Sequence, residues 1–182
     1  LSKCAICRAE YERKYMSQPT CGESICKTEL RRQKERQKAD REEIRLRKEK
    51  IKSRRDWLSE AQSVVNLYVR VRDVLDGCIS CDLPSTWGGQ WHASHFRSVG
   101  AASSVRFNLW NIHKSCSICN NFKSGNLGEY TPRLRAKIGD EKVDWLYSQN
   151  TPVTYSIEYL QRLKKVFTKK TKRLLERNRN GL

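Results

Sequence analysis

Eight cysteines stand in two groups of four, and this arrangement limits what the chain can fold into more than any other feature. Cys4, Cys7, Cys21 and Cys26 follow a C-x2-C, thirteen residues, C-x4-C spacing. Cys78, Cys81, Cys116 and Cys119 form two C-x2-C pairs separated by 34 residues. A C-x2-C knuckle is a tight turn that aims two sulfurs at one ion, so two knuckles complete a tetrahedron. A disulfide framework is the alternative for a secreted chain. Paired C-x2-C spacing with no visible secretion signal points instead to zinc in a reducing cytosol. Each quartet is therefore expected to hold one structural Zn2+, because four thiolates leave no open position for chemistry. The first module is too small to bury a core, and metal would supply its folding energy. The interval between the middle pairs is too long for a compact finger, so a further element must fold inside it.

Composition decides the partner class. The net charge is +17, with 31% charged and 37% hydrophobic residues. One packed core cannot absorb the whole length, and the charge calls for a polyanion. No apolar run approaches the roughly 20 residues that span a bilayer, so nucleic acid is expected and a membrane is not. Four segments follow. Residues 1–26 are the first cysteine module. Residues 27–55 read as a charged helical linker, from Lys27 to about Ser53, held by i,i+4 pairs. Its few apolar positions, Leu30, Ile44, Leu46 and Ile51, support a coiled coil poorly. Residues 56–130 combine an amphipathic helix with the middle cysteines. Ser53 and Asp56 form a capping box, and Trp57, Ala61, Val64, Tyr68, Val71 and Leu75 are its expected buried stripe before Gly77 ends it. Residues 131–182 are helical and basic. Thr131-Pro132 starts one helix to about Ile138, Asp140 caps a second through Tyr147, and Ser156 caps the last. Along that last helix Ile157, Leu160, Leu163, Phe167 and Leu174 are apolar. The fold class is α+β, a small zinc-stapled ββα core flanked by long basic helices.

All three histidines, His92, His95 and His113, fall between the middle cysteine pairs. A lone histidine is more often structural, but three inside a zinc-stapled frame suggest a site. The order Cys78, Cys81, His95, Asn111, Cys116, Cys119, Asn120, Lys123 resembles the cysteine-containing HNH nucleases, which fold as a ββα-metal unit. More narrowly, Cys78 to Leu127, ending in K-S-G-N-L, resembles the lambdoid-phage NinG (Rap) recombination family. That likeness extends to the N-terminal cysteines, the charged helix and Ile138–Val143. It implies a structure-specific endonuclease acting on Holliday junctions and D-loops in a phage-infected or lysogenic bacterial cytoplasm.

Phosphodiester hydrolysis needs an activated water, in-line geometry and a cation on the leaving oxygen. His95 is the expected general base. Asn111 either holds the His95 ring through its other nitrogen or bridges the hairpin. Asn120 suits a hard catalytic ion, Mg2+ or Mn2+. In many HNH nucleases an acid precedes the base, but here Ser94 stands there. His92 is the expected substitute ligand if the strand bulges, and would favour Mn2+ or a later metal. His113 reads as structural. Arg97 and Lys123 are candidate phosphate contacts, weighed against ordinary surface charge. Trp87, beside Gly88 and Gly89, is either packed or a wedge for a junction, while Asn126 and Gly128 read as turn residues.

Three functions fit. The first is a junction endonuclease, expected as a homodimer because paired cuts favour two sites. The second is a less selective HNH nicking enzyme. The third is a zinc-bearing DNA-binding recombination adaptor without catalysis. The first cysteine module could bind DNA, bind a recombination protein or brace the dimer.

Overall fold

The computed structural model describes residues 1–180, and these divide into two compact units, one spanning residues 1–52 and one starting at Ser53. In the first unit, β1 (Ser2–Lys3) pairs antiparallel with β2 (Glu10–Tyr11), and α1 (Ser24–Ile51) follows. Cys4 and Cys7 lie on the turn between the strands, where Arg8 takes a left-handed conformation and donates its N–H to the Cys4 carbonyl. Tyr11 closes the module by donating its hydroxyl to the Gln18 carbonyl. Along α1 the single buried residue is Cys26. The rest is solvated, with Arg–Glu pairs one turn apart such as Arg47–Glu43. Ile44 and Ile51 are exposed, as a linker helix requires.

The second unit is built on a hairpin between two helical layers. Its first helix, α2 (Arg54–Arg72), starts at the expected capping box: Ser53 Oγ accepts from Asp56 N–H, and the Asp56 carboxylate accepts from Ser53 N–H. The buried stripe differs from the sequence expectation. Trp57, Ala61, Val65 and Val69 are buried, Val64 and Tyr68 are half-buried at the flank, and Leu75 is 87% exposed. The reason is that α2 packs against both the hairpin and the last helix, so its inward arc follows steps of four. The helix also stops five residues before Gly77. There the Asp73 carboxylate turns in to accept from the Arg72 guanidinium and the Lys114 N–H. Gly77 instead allows the cysteine turn to close, since a Cβ there would meet the Leu83 carbonyl oxygen at 2.6 Å.

Strand β3 (Trp91–His95) pairs antiparallel with β4 (Ile112–Cys116) in an unbroken register, from Trp91 opposite Cys116 to His95 opposite Ile112. A single π-helical turn, Ile118–Phe122, follows β4, where the helix of the expected ββα core would begin. Left-handed backbone at Ser124, Gly125 and Asn126 ends it, and α3 (Leu127–Ile138) begins there, earlier than Thr131-Pro132 suggests. Asn126 is thus the turn residue, whereas Gly128 lies inside α3. Pro132 sits in the interior of α3 rather than at its first position, and Thr131 Oγ1 bonds the Leu127 carbonyl one turn back. Gly139, at φ 89°, breaks the chain before α4 (Asp140–Ser148). Asp140 is the first residue of that helix rather than its cap, because its carboxylate pairs with Arg135. Ser156 does cap α5 (Ile157–Arg179), by accepting from Tyr159 N–H.

Two apolar clusters result. One joins α2, α5, Phe107 and Ile112, and the other joins Ile79, Phe96 and Val105 to Tyr130 and Leu134 of α3 and Val143 and Leu146 of α4. The architecture is α+β, with two small two-stranded sheets and a majority of helix. Among the described residues no helix is long and apolar enough to cross a membrane.

Candidate functional site

The site starts from the sulfurs. Within each quartet all four Sγ atoms lie within 4.8 Å of one another. Cys81 and Cys116 Sγ are 3.8 Å apart and Cys7 and Cys21 Sγ 3.9 Å. A tetrahedron with Zn–S bonds of about 2.3 Å has edges of about 3.8 Å, so both clusters fit a metal such as zinc. The same separations are far from the roughly 2.05 Å of a disulfide. Backbone N–H groups of Ser80 and Cys116 point at Cys78 Sγ, and that of Cys119 at Cys116 Sγ. Such bonds favour thiolates, the form a metal binds. The middle quartet therefore ties the turn before β3 to the end of β4 and the π turn.

That frame places His92 and Asn120 in contact, with Asn120 Nδ2 donating to His92 Nδ1 at 3.0 Å. Strand β3 does not bulge, so the condition on which His92 was expected to serve beside His95 is not met: three residues apart on a regular strand, the two rings point to opposite faces. The π turn carries Asn120 to the face where His92 already points. Asn121 Oδ1 takes a further Asn120 N–H at 3.0 Å. Ser94, on the same strand, is buried and contributes no acid.

His95 occupies a separate environment. Its Nε2 donates to the Arg106 carbonyl at 2.9 Å, which leaves Nδ1 as the acceptor nitrogen. Burial, reinforced by the Arg106 charge, holds its pKa below the ordinary histidine range, so the ring is neutral at pH 7. No hydrogen bond joins this ring to His92 or Asn120. The fold thus brings His92 and Asn120 together and sets His95 three residues along β3.

Asn111 does not hold the His95 ring. Its side chain accepts from Arg97 N–H at 2.7 Å and donates to the Arg97 and Val105 carbonyls at 3.0 and 3.2 Å. It bridges the long excursion between β3 and β4, because a fully buried amide must spend its donors and acceptor on nearby backbone. His113 is structural: it donates to the Trp110 carbonyl, lies 3.3 Å from the Arg72 guanidinium and 3.9 Å from Asp73. Burial, with the Arg72 charge, pushes its pKa down to about 4. Arg97 is braced by Asn150 at 2.6 Å and lies over the Tyr147 ring. Lys123 is exposed at the end of the π turn. Trp87 packs edge-on against Trp91 at 5.3 Å, and Gly89 makes room for that indole.

One residue had no sequence signal. Arg106 belongs to no spacing pattern, yet its backbone fixes the His95 tautomer. Gln62 and Asn66, which hold its side chain through a relay on α2, read in sequence as ordinary surface polar residues.

Fold and site together define a helix-rich α+β protein with two tetrathiolate clusters, the second stapling a histidine-bearing hairpin. The chain belongs to the phage NinG family: residues 1–178 match the family model described as Bacteriophage Lambda NinG protein. It is similar to Protein ninG of Escherichia phage lambda, 37% identical over 86% of this chain and 81% of that protein. It is 35% identical to Protein ninG of Escherichia phage 933W, over 94% of this chain and 92% of the relative. Against Protein ninG of Salmonella phage P22 the identity is 35% over 86% and 82%. No solved structure matches the chain.

Proposed function

We propose that the chain is a metal-dependent endonuclease of the HNH type that cuts branched DNA. The observation that carries this reading is the pairing of His92 with Asn120 on a cysteine-stapled hairpin whose next histidine, His95, is neutral and has a free acceptor nitrogen. His92 and Asn120 would hold a divalent ion, Mn2+ or Mg2+, which supplies charge neutralisation at the leaving oxygen. An imidazole ligand favours Mn2+. His95 Nδ1 takes the proton of the attacking water, and the Arg106 carbonyl steadies the imidazolium that forms. The net charge of +17 suits phosphate contacts that read DNA shape rather than sequence. A homodimer would place two such sites on one junction.

The test is cleavage of a labelled four-way junction and a matched linear duplex, with Mg2+ or Mn2+, by the native chain and His95→Ala. Metal-dependent cutting of the junction, lost in the variant while binding persists, is the expected result. Equal cutting of both substrates would indicate a less selective nicking enzyme. Ser94, standing where an acid is usual, favours a second reading, a DNA-binding recombination adaptor. Tight binding with no cutting under either ion would establish that one.

A further inference from the structure

Arg106 is a half-buried arginine of the second unit. Arg72 pairs with Asp73, Arg133 with Asp82, and Arg135 with Asp140 and Asp144. Arg106 has no acid within ion-pair distance among the described residues. Its Nε donates to Gln62 Oε1 at 2.9 Å. Gln62 in turn donates from Nε2 to Asn66 Oδ1 at 2.8 Å, one turn along α2, so its carbonyl is fixed toward the guanidinium. The guanidinium carbon lies 5.6 Å from the Phe107 ring centroid. Burial lowers the Arg106 pKa without removing its charge. Among the described residues the two terminal nitrogens have no hydrogen-bond acceptor, so the side chain is held by one nitrogen.

A positioned guanidinium, partly desolvated and lacking a carboxylate, is chemistry for a phosphate oxygen. We propose that Arg106, oriented by Gln62 and Asn66, is a phosphodiester-binding site beside His95 that clamps the phosphate to be cut. This rests on the nuclease reading for its role, though not for its existence. The backbone of Arg106 orients the base and its side chain holds the anion, so one residue fixes both reacting partners relative to each other.

Two measurements separate the site from the reading. The first follows the His95 imidazole by NMR while the native chain, Arg106→Gln and Arg106→Lys are titrated with dimethyl phosphate. A saturable shift in the native chain, weakened in Arg106→Lys and absent in Arg106→Gln, is expected. The second is junction cutting by the same three proteins. Arg106→Gln should lose about 100-fold in kcat, as removal of a single charge-stabilising donor does, and Arg106→Lys should recover part of it. The acid limb of the Arg106→Gln pH profile should move upward, because the charge that adds to burial in holding the His95 pKa down is gone. A phosphate shift without cutting in the native chain would retain the site and discard the nuclease reading. Native-like kcat in Arg106→Gln, or a phosphate shift unchanged in that variant, would overturn the site. Should Arg106→Gln lose its hairpin signals, Arg106→Lys decides, and native-like values in both of its assays would equally overturn the proposal.

Discussion

Two of the histidines show how far a single side chain could be read in advance. His92 and His95 stand out in the sequence because histidine is rare in this chain and their neighbours are spaced cysteines. The position of each ring was not legible. His92 meets Asn120 only because a π turn, with no sequence signature, carries Asn120 around. Arg106 was invisible because its importance lies in a missing acid, and an absence in space leaves no mark in the sequence. His113 makes a prediction about pH. Folded, it resists protonation down to about pH 4, whereas an unfolded histidine accepts a proton near pH 6.5. Its folded pKa is depressed, so its contribution to stability is fully present above pH 6.5 and is lost as pH falls toward 4. The loss is on the order of 3 kcal/mol across that window. Chemical denaturation of the native chain at pH 7 and pH 5 should show the drop. His113→Gln should flatten the dependence, and an unchanged slope would refute the assignment.

The starts of α2 and α5 were read more reliably than the buried face of α2. The Ser53 and Ser156 caps are where the sequence places them, since capping is a local bond between residues three apart. The buried face of α2 was displaced by one position, because the elements that cover it are remote in sequence. The same logic shows where packing matters most. Leu160 of α5 is fully buried in the cluster formed with Trp57, Val65 and Phe167. Leu160→Ala should cost about 2–5 kcal/mol, a large-to-small loss in a closed core. Thermal unfolding monitored by circular dichroism checks it. Exposed Leu75→Ala serves as the comparison and should change little, although the sequence pattern alone would have placed Leu75 inside.

The whole molecule consists of two units with different sources of stability. The second has two large apolar clusters besides the one around Cys78, Cys116 and Cys119, whereas the apolar cluster of the first consists of Cys4, Tyr11 and Cys26 with Ile6 and Cys21 against them. Metal content should reflect the division. The purified chain is expected to carry two zinc ions, and a fragment from Ser53 onward one. A strong chelator should unfold the first unit before it disrupts the helical layers of the second. Zinc release followed with a metallochromic indicator, against far-ultraviolet dichroism, would separate the events. A single coincident transition would argue against independent units. The two cysteine quartets were legible from their spacing. The paired helical layers around the hairpin were not, because they depend on contacts between segments up to a hundred residues apart, such as Lys164 with Glu60.

The middle quartet also acts on the unfolded chain. Cys78 and Cys119 bracket some forty residues that include every histidine, and a metal joining them closes that loop as a covalent cross-link would. By the entropy of closing a loop of this length, such a link is worth about 4 kcal/mol. During synthesis the loop cannot close until Cys119 has left the ribosome. The His92–Asn120 pair and the His95 pocket would then form together in one late step. A chain truncated before Cys119 would carry all three histidines and none of the geometry that makes them useful.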